Sequence, residues 1–237
     1  EAMMARLLVI DNYDSFTYNL VQMFMHYDLA IQVHRSDRIT LGQAVAGRPD
    51  YVLISPGPKD PGHAGISKAL IQAFYQTTPI LGICLGMQCI NEVFEGRTVR
   101  SPAPMHGKTS QVYHHQEALF SRMPSPLRVA RYHSLVVQPS AAAVERNLVV
   151  TARTADATIM GLSHRRFPLH GLQFHPESFL TEHGFTLVEN FLRLGPLKSD
   201  LATEERPRAA TPAVFHGFKG SGFSGSVCTE NVSQNSH

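Results

Sequence analysis

The chain has 237 residues, 43 % hydrophobic and 17 % charged, with a formal net charge of +2. That length suits one large α/β domain or two small ones, and the charge is too small to argue for a nucleic-acid or membrane partner. No apolar stretch nears the about 18 residues of a membrane-spanning helix. Glu1-Ala2-Met3-Met4 lacks the regions of a signal peptide and reads as a tag remnant over residues 1–5. Three cysteines, Cys84, Cys89 and Cys228, are too few for a disulfide framework, so a reducing cytoplasm is expected.

Arg6-Leu7-Leu8-Val9-Ile10 is a short apolar run ending at Asp11, as a buried strand would be. Asp14 or Ser15 is placed to cap the next helix, which carries Leu20, Val21, Phe24 and Met25 at helical spacing. Ala30 to His34 and Tyr51 to Ile54 read as strands. The loop from Ser55 to Gly62 is rich in proline and glycine. Ser67 to Tyr75 reads as a helix, Ile80 to Ile83 as a strand and Met87 to Phe94 as a helix. Strands alternating with helices imply a doubly wound, mostly parallel sheet in three layers, with the site at the carboxyl ends of its strands. Strands are then expected at Arg97 to Arg100, Gly107 to Tyr113, Leu127 to Arg131, Leu148 to Arg153, Thr158 to Leu162 and Leu169 to Phe174. They form an antiparallel extension of the same sheet, and Phe185 to Leu194 closes the domain as a helix. The domain is expected over residues 6–197, with a disordered tail over 198–237, where charged, proline-containing and glycine/serine-rich stretches replace periodic apolar content.

Two short stretches carry the chemistry. Gly82-Ile83-Cys84-Leu85-Gly86 places a cysteine between glycines where a strand turns into a helix. A nucleophile on so sharp a turn needs small neighbours, and the helix start aims backbone N–H groups at the sulfur. Such a setting favours a thiolate. His175-Pro176-Glu177 follows the last strand. There a histidine can face the elbow as a base, while Glu177 fixes its tautomer. Cys89 reads as a core cysteine and Cys228 as an inert one in the tail. No second His or Cys sits at ligand spacing beside either element, so neither a metal nor a cofactor is expected.

Gly82 to Gln88 together with Phe174-His175-Pro176-Glu177-Ser178 resembles the triad (class I) glutamine amidotransferases. The stretches Asp11 to Asn19, Ser55-Pro56-Gly57-Pro58, Met105-His106-Gly107-Lys108 and Arg131 to Leu135 are similar to the glutaminase subunits of anthranilate synthase and aminodeoxychorismate synthase. The resemblance runs from about Arg6 to Leu194. It implies that Cys84 attacks the side-chain amide of L-glutamine, that His175 acts as base and then as acid, and that Glu177 orients it. It also implies oxyanion donors at the backbone of Gly57 and Leu85, and glutamine binding by Gln88, Ser134 and Leu135. A separate chorismate-binding synthase subunit is implied as the partner that takes the ammonia. The Asn12-Tyr13 loop, His106 and Lys108 are its candidate contacts. One departure is Met87, where the family often has His; altered packing beside the elbow is the expected consequence. Two rival readings remain at this level: a γ-glutamyl hydrolase-like enzyme that works alone on the same scaffold, and a non-catalytic binding module.

Overall fold

The computed structural model describes residues 4–102, 104–198 and 214–216. In chain order these form β1 (Ala5–Asp11), α1 (Thr17–Phe24), β2 (Leu29–Arg35), α2 (Leu41–Ala46), β3 (Tyr51–Ile54), α3 (Ser67–Phe74), β4 (Ile80–Ile83) and α4 (Leu85–Val93). The second half adds β5 (Arg97–Arg100), β6 (Lys108–His114), β7 (Leu127–Arg131), β8 (Leu135–Gln138), α5 (Ala141–Arg146), β9 (Leu148–Thr154), β10 (Ile159–His164), β11 (Leu169–Leu172), α6 (Gly184–Leu192) and β12 (Val214–His216).

One sheet runs in the order β12-β2-β1-β3-β4-β11-β10-β9-β6-β7. Strands from β12 through β11 are parallel, and β10, β9, β6 and β7 extend the sheet antiparallel. A separate pair, β5 with β8, is antiparallel. This is the expected three-layer α/β arrangement with an antiparallel extension. Alternation within the parallel strands sends Leu7, Val9, Leu53 and Leu81 to one face, where α1 and α6 pack. Leu8, Ile10, Val52, Ile54 and Ile80 go to the other face, under α2, α3, α4 and α5. Both faces of these strands are therefore buried, as their continuous apolar runs require.

Three local readings change. Helix α1 starts at Thr17 after Phe16, and no side chain caps it. Asp14 instead accepts from Phe16 N at 2.8 Å, and Asp11 Oδ1 accepts from Tyr13 N at 2.9 Å and Thr17 Oγ1 at 2.9 Å. The turn before the helix is thus pinned by acids at positions 11 and 14, not by a cap on the helix itself. Short elements also appear where no periodicity announces them. Helix α2 is set by a Thr40/Gln43 capping box and α5 by a Ser140 cap, and β8 pairs with β5. Of the tail expected to be disordered, Val214–His216 is a strand parallel to β2. Residues 199–213 and 217–237, with Cys228, lie outside the described residues.

The chain leaves β1, crosses to β2 and returns to β3, so the sheet has its switch point at the carboxyl ends of β1 and β3. A doubly wound sheet opens its binding crevice there. Asn12, Gly57, Cys84 and His175 all follow strands that end on this side.

Candidate active site

Strand β4 lies between β3 and β11, so the residue that follows it emerges at the middle of the sheet. That residue is Cys84, with φ 52° and ψ −99°. A positive φ is unfavourable for a residue with a Cβ and costs about 1–3 kcal/mol. The surroundings enforce it. Cys84 N donates to Leu172 O at 2.7 Å, and Cys84 O accepts from Gln88 N at 3.1 Å as the first bond of α4. The two glycines are a steric necessity: a Cβ on Gly82 would stand 2.6 Å from Gly86 C, and one on Gly86 would stand 2.6 Å from Ile54 O. Met87 is fully buried and lies over Gly171, where an added Cβ would come within 2.8 Å of its Cγ. The Met87 side chain thus occupies the space over Gly171 beside the elbow.

His175 is buried, and its Nδ1 meets Glu177 Oε1 at 2.6 Å, with the carboxylate wholly shielded from solvent. Thr181 Oγ1 donates to His175 O at 2.6 Å and fixes the turn. The imidazole stands edge-on to Phe16 and Tyr132, with ring centroids 6.0 and 5.2 Å away. Burial alone presses it toward neutrality. Interaction with Cys84 and Glu177 overcomes this and raises its pKa to about 10. His175 Nε2 and Glu177 Oε2 are buried without a hydrogen-bond partner. Cys84 lies close enough to raise the ring's pKa by a side-chain interaction, although its approach to Nε2 falls short of a well-aligned hydrogen bond.

Sequence reading missed Gln173, which is fully buried and donates from Nε2 to Cys84 Sγ at 3.4 Å. Gln88 Nε2 reaches Gln173 Oε1 at 3.5 Å, a weak contact. Alternation along the chain carried the signal. Phe174 packs into the core, so Gln173 and His175 both turn toward the elbow.

Gly57, Cys84, Gln88, Ser134 and Leu135, all singled out from sequence, line one cavity of about 160 Å³ with Pro58, Lys59, Tyr132 and His133. That is well below the about 300–1,000 Å³ of drug-sized sites and suits a ligand of amino-acid size. A larger cavity of about 540 Å³, against β1, β2 and α2, contains none of these residues. Leu85 opens α4, so its N–H lacks an intrahelical acceptor and is free for a ligand. Gly57 packs close: a Cβ there would stand 2.7 Å from Leu85 Cδ2. The Ser134–Leu135 wall is set by a side-chain relay. Buried Arg131 donates through Nε to His133 Nε2 at 3.1 Å, and His133 Nδ1 meets Leu135 O at 2.9 Å. Burial, then the Arg131 charge, lowers the His133 pKa to about 4, so the ring is neutral and can accept from the guanidinium. His106 and Lys108 are exposed, and His106 stands against the ring of the cavity-lining Tyr132 at 5.7 Å. Tyr13 is exposed, but Asn12 is buried and faces inward.

Cys89 is fully buried on the far side of α4, and burial pushes its thiol up to about 12. Among the described residues, no group of three or more His, Cys, Asp or Glu is placed to hold a metal ion.

Comparison with known proteins agrees with this geometry. The family described as glutamine amidotransferase class-I matches residues 8–194. Anthranilate synthase component 2 of Azospirillum brasilense is 48 % identical over 187 residues, 78 % of this chain and 94 % of that protein. Aminodeoxychorismate synthase component 2 of Klebsiella aerogenes is 47 % identical over 186 residues, 78 % of this chain and 98 % of that protein. Some relatives are longer: the chain spans 34 % of the bifunctional protein TrpGD of Thermotoga maritima, at 44 % identity. The crystal structure of a glutamine amidotransferase from Thermotoga maritima shares the fold, with a TM-score of 0.61 at 16 % identity, covering 85 % of each chain. With the family matched along nearly the whole described domain, the chain belongs to the class-I glutamine amidotransferases.

Proposed function

We propose that Cys84, His175 and Glu177 hydrolyse L-glutamine to glutamate and ammonia in the cavity bounded by Gly57, Gln88, Ser134 and Leu135. The observation that carries this reading is the strained Cys84 elbow beside a buried imidazole whose partner is a shielded carboxylate. The Cys84 thiolate attacks the side-chain carbonyl carbon, and a carbon–sulfur bond forms. The oxygen takes the negative charge between the N–H groups of Gly57 and Leu85. His175, held protonated by its neighbours, gives its Nε2 proton to the amide nitrogen. The carbon–nitrogen bond breaks, ammonia leaves and a thioester remains. Water, deprotonated by the now neutral imidazole, cleaves the thioester and restores the thiolate.

The ammonia passes to a separate chorismate-binding synthase subunit that makes anthranilate or aminodeoxychorismate. The names of the A. brasilense and K. aerogenes relatives support this reading. Exposed Tyr13, His106 and Lys108 are the proposed contacts. No helix of the described residues is long and apolar enough to cross a membrane, and the cytoplasm is the proposed compartment. The test is Cys84→Ala assayed together with a chorismate-binding subunit. Glutamine-dependent synthesis should fall by at least about a thousandfold. Synthesis by the subunit from added ammonium should stay within twofold. Glutamine-dependent synthesis within tenfold of the parent would remove Cys84 from the nucleophile's role.

A further inference from the structure

The loop that carries Gly57 has an unusual anchoring problem. In Ser55-Pro56-Gly57-Pro58 the two prolines offer no N–H, so beyond the Ser55 N–H, which donates to Ile10 O at 3.0 Å, the segment cannot be held by a backbone ladder of its own. It must still place one N–H to within a few tenths of an ångström of a reacting oxygen, because oxyanion stabilisation falls steeply with misplacement. Its handholds are the buried Ser55 carbonyl and hydroxyl, since Ser55 is fully buried. Asn12, buried at the end of β1, takes both. Its Nδ2 donates to Ser55 O at 3.1 Å and its backbone N–H donates to Ser55 Oγ at 2.9 Å. Ser55 Oγ passes the chain on, donating to Pro56 O at 2.7 Å. The far side of the Asn12 amide is fixed as well: Oδ1 accepts from Ser67 Oγ at the start of α3, at 3.2 Å. Gly57 then lies directly on this residue, because a Cβ on Gly57 would stand 2.6 Å from Asn12 Cβ and 2.8 Å from Asn12 O. Leu85 closes the opposite side at 2.7 Å from the same position.

We propose that Asn12 is a positioning residue of the reaction: by clamping Ser55 between β1 and α3 it holds the Gly57 N–H in line with the position of the oxyanion. The inference rests on the reading of Gly57 and Leu85 as oxyanion donors. Asn12 does not line the cavity, so its proposed action is through the loop alone. A residue in that role matters most when negative charge develops on oxygen and little when the sulfur reacts without forming an oxyanion.

That distinction gives the test. Asn12→Asp keeps the shape and the acceptor for Ser67 but replaces the donor that faces Ser55 O. Asn12→Ala removes both. Three quantities are measured on each variant and the parent: glutaminase turnover with the synthase partner present, inhibition by the γ-aldehyde analogue of glutamine, and alkylation of Cys84 by iodoacetamide. The aldehyde forms a tetrahedral hemithioacetal that uses the oxyanion donors, whereas alkylation is a direct displacement that does not. We expect kcat to fall by 10- to 100-fold with KM within threefold, the inhibition constant of the aldehyde to rise in parallel, and the alkylation rate to stay within twofold. Equal turnover in Asn12→Asp and the parent would overturn the proposal, as would alkylation that slows in step with turnover. If both variants fail to fold, Ser67→Ala, which frees one side of the Asn12 amide, should show the same pattern at smaller size, and its absence would count against the clamp. A parent that neither releases glutamate nor binds the aldehyde would instead refute the underlying glutaminase reading.

Discussion

The Cys84 side of the cavity is held by backbone pressed against backbone, whereas the Ser134–Leu135 side is held by a chain of side-chain hydrogen bonds. On the first side, Gly82 and Gly86 let β4, α4 and the end of β3 approach to distances that no side chain permits. On the second, the guanidinium of Arg131 and the ring of His133 support the main chain at Leu135 from below. The difference suits the two tasks proposed for them, nucleophile on the first side and substrate wall on the second. A nucleophile forced into positive φ needs a frame that cannot relax, while a wall that only contacts substrate tolerates softer support. Damage to the first side should therefore strike turnover and folding together, and damage to the second should strike substrate binding.

The largest effect is expected at Gly86→Ala. The new methyl would meet Ile54 O, a strand backbone that has no room to yield. Overpacking of this kind costs about 1–3 kcal/mol or more. Thermal melting should show a drop of several degrees, and residual glutaminase turnover should be below a hundredth of the parent. A variant with parental turnover would show that the elbow does not depend on this contact. A smaller and different effect is expected at Arg131→Leu. It keeps much of the buried apolar stem but leaves His133 Nε2 without its donor and frees Ser110 Oγ, which Arg131 also holds. Here KM for glutamine should rise about tenfold with kcat within threefold, a split that steady-state kinetics reads directly. An equal loss in kcat would mean that both sides of the cavity serve the chemistry alike.

The smallest effect separates the two regions by pH. Burial lowers His133 and His170 to about 4, with His170 Nδ1 paired to Ser163 Oγ at 2.7 Å. Both rings are neutral in the folded protein, while in the unfolded chain they titrate near 6.5. Above pH 6.5 neither state binds the proton, and the stability is fully present. As pH falls from 6.5 toward 4, only the unfolded chain is protonated, and each ring costs up to about 1 kcal/mol per pH unit. His175 has the opposite sign. Its raised pKa contributes stability that is fully present below 6.5 and lost as pH rises through about 10. Melting temperatures between pH 6.5 and 4.5, where His175 is protonated in both states, should fall with acid, and His170→Gln should flatten that slope. An unchanged slope would mean that His170 is not held neutral by its surroundings.

Much of this was legible in the sequence. The apolar runs at residues 6–10, 51–54 and 80–83 read as strands, and Gly82-Ile83-Cys84-Leu85-Gly86 pointed to the elbow because the glycines answer a steric demand. His175 and Glu177 followed from their place after a strand. What escaped was of two kinds. Helices α2 and α5 are only six residues long, too short for periodicity to register, although Thr40 with Gln43 and Ser140 carried the capping signals that set them. Gln173, Arg131 and the inward role of Asn12 depend on partners 40 or more residues away or across strands, and only the packed sheet brings those together. Asn12 lay in a stretch already singled out, but side-chain direction at a strand end is decided by the loop geometry that Asp11 fixes.

The most direct test of the glutaminase assignment is covalent labelling with a chloroketone analogue of glutamine, followed by peptide mapping. Substrate-like binding in the cavity should deliver the warhead to Cys84, while Cys89, with its thiol pushed up to about 12 and no exposure to solvent, should stay unmodified. The expected result is one label per chain on Cys84, slowed by competing glutamine and absent in Cys84→Ala. Label found chiefly on Cys89 or Cys228, or labelling of Cys84 at a rate indifferent to glutamine, would contradict it.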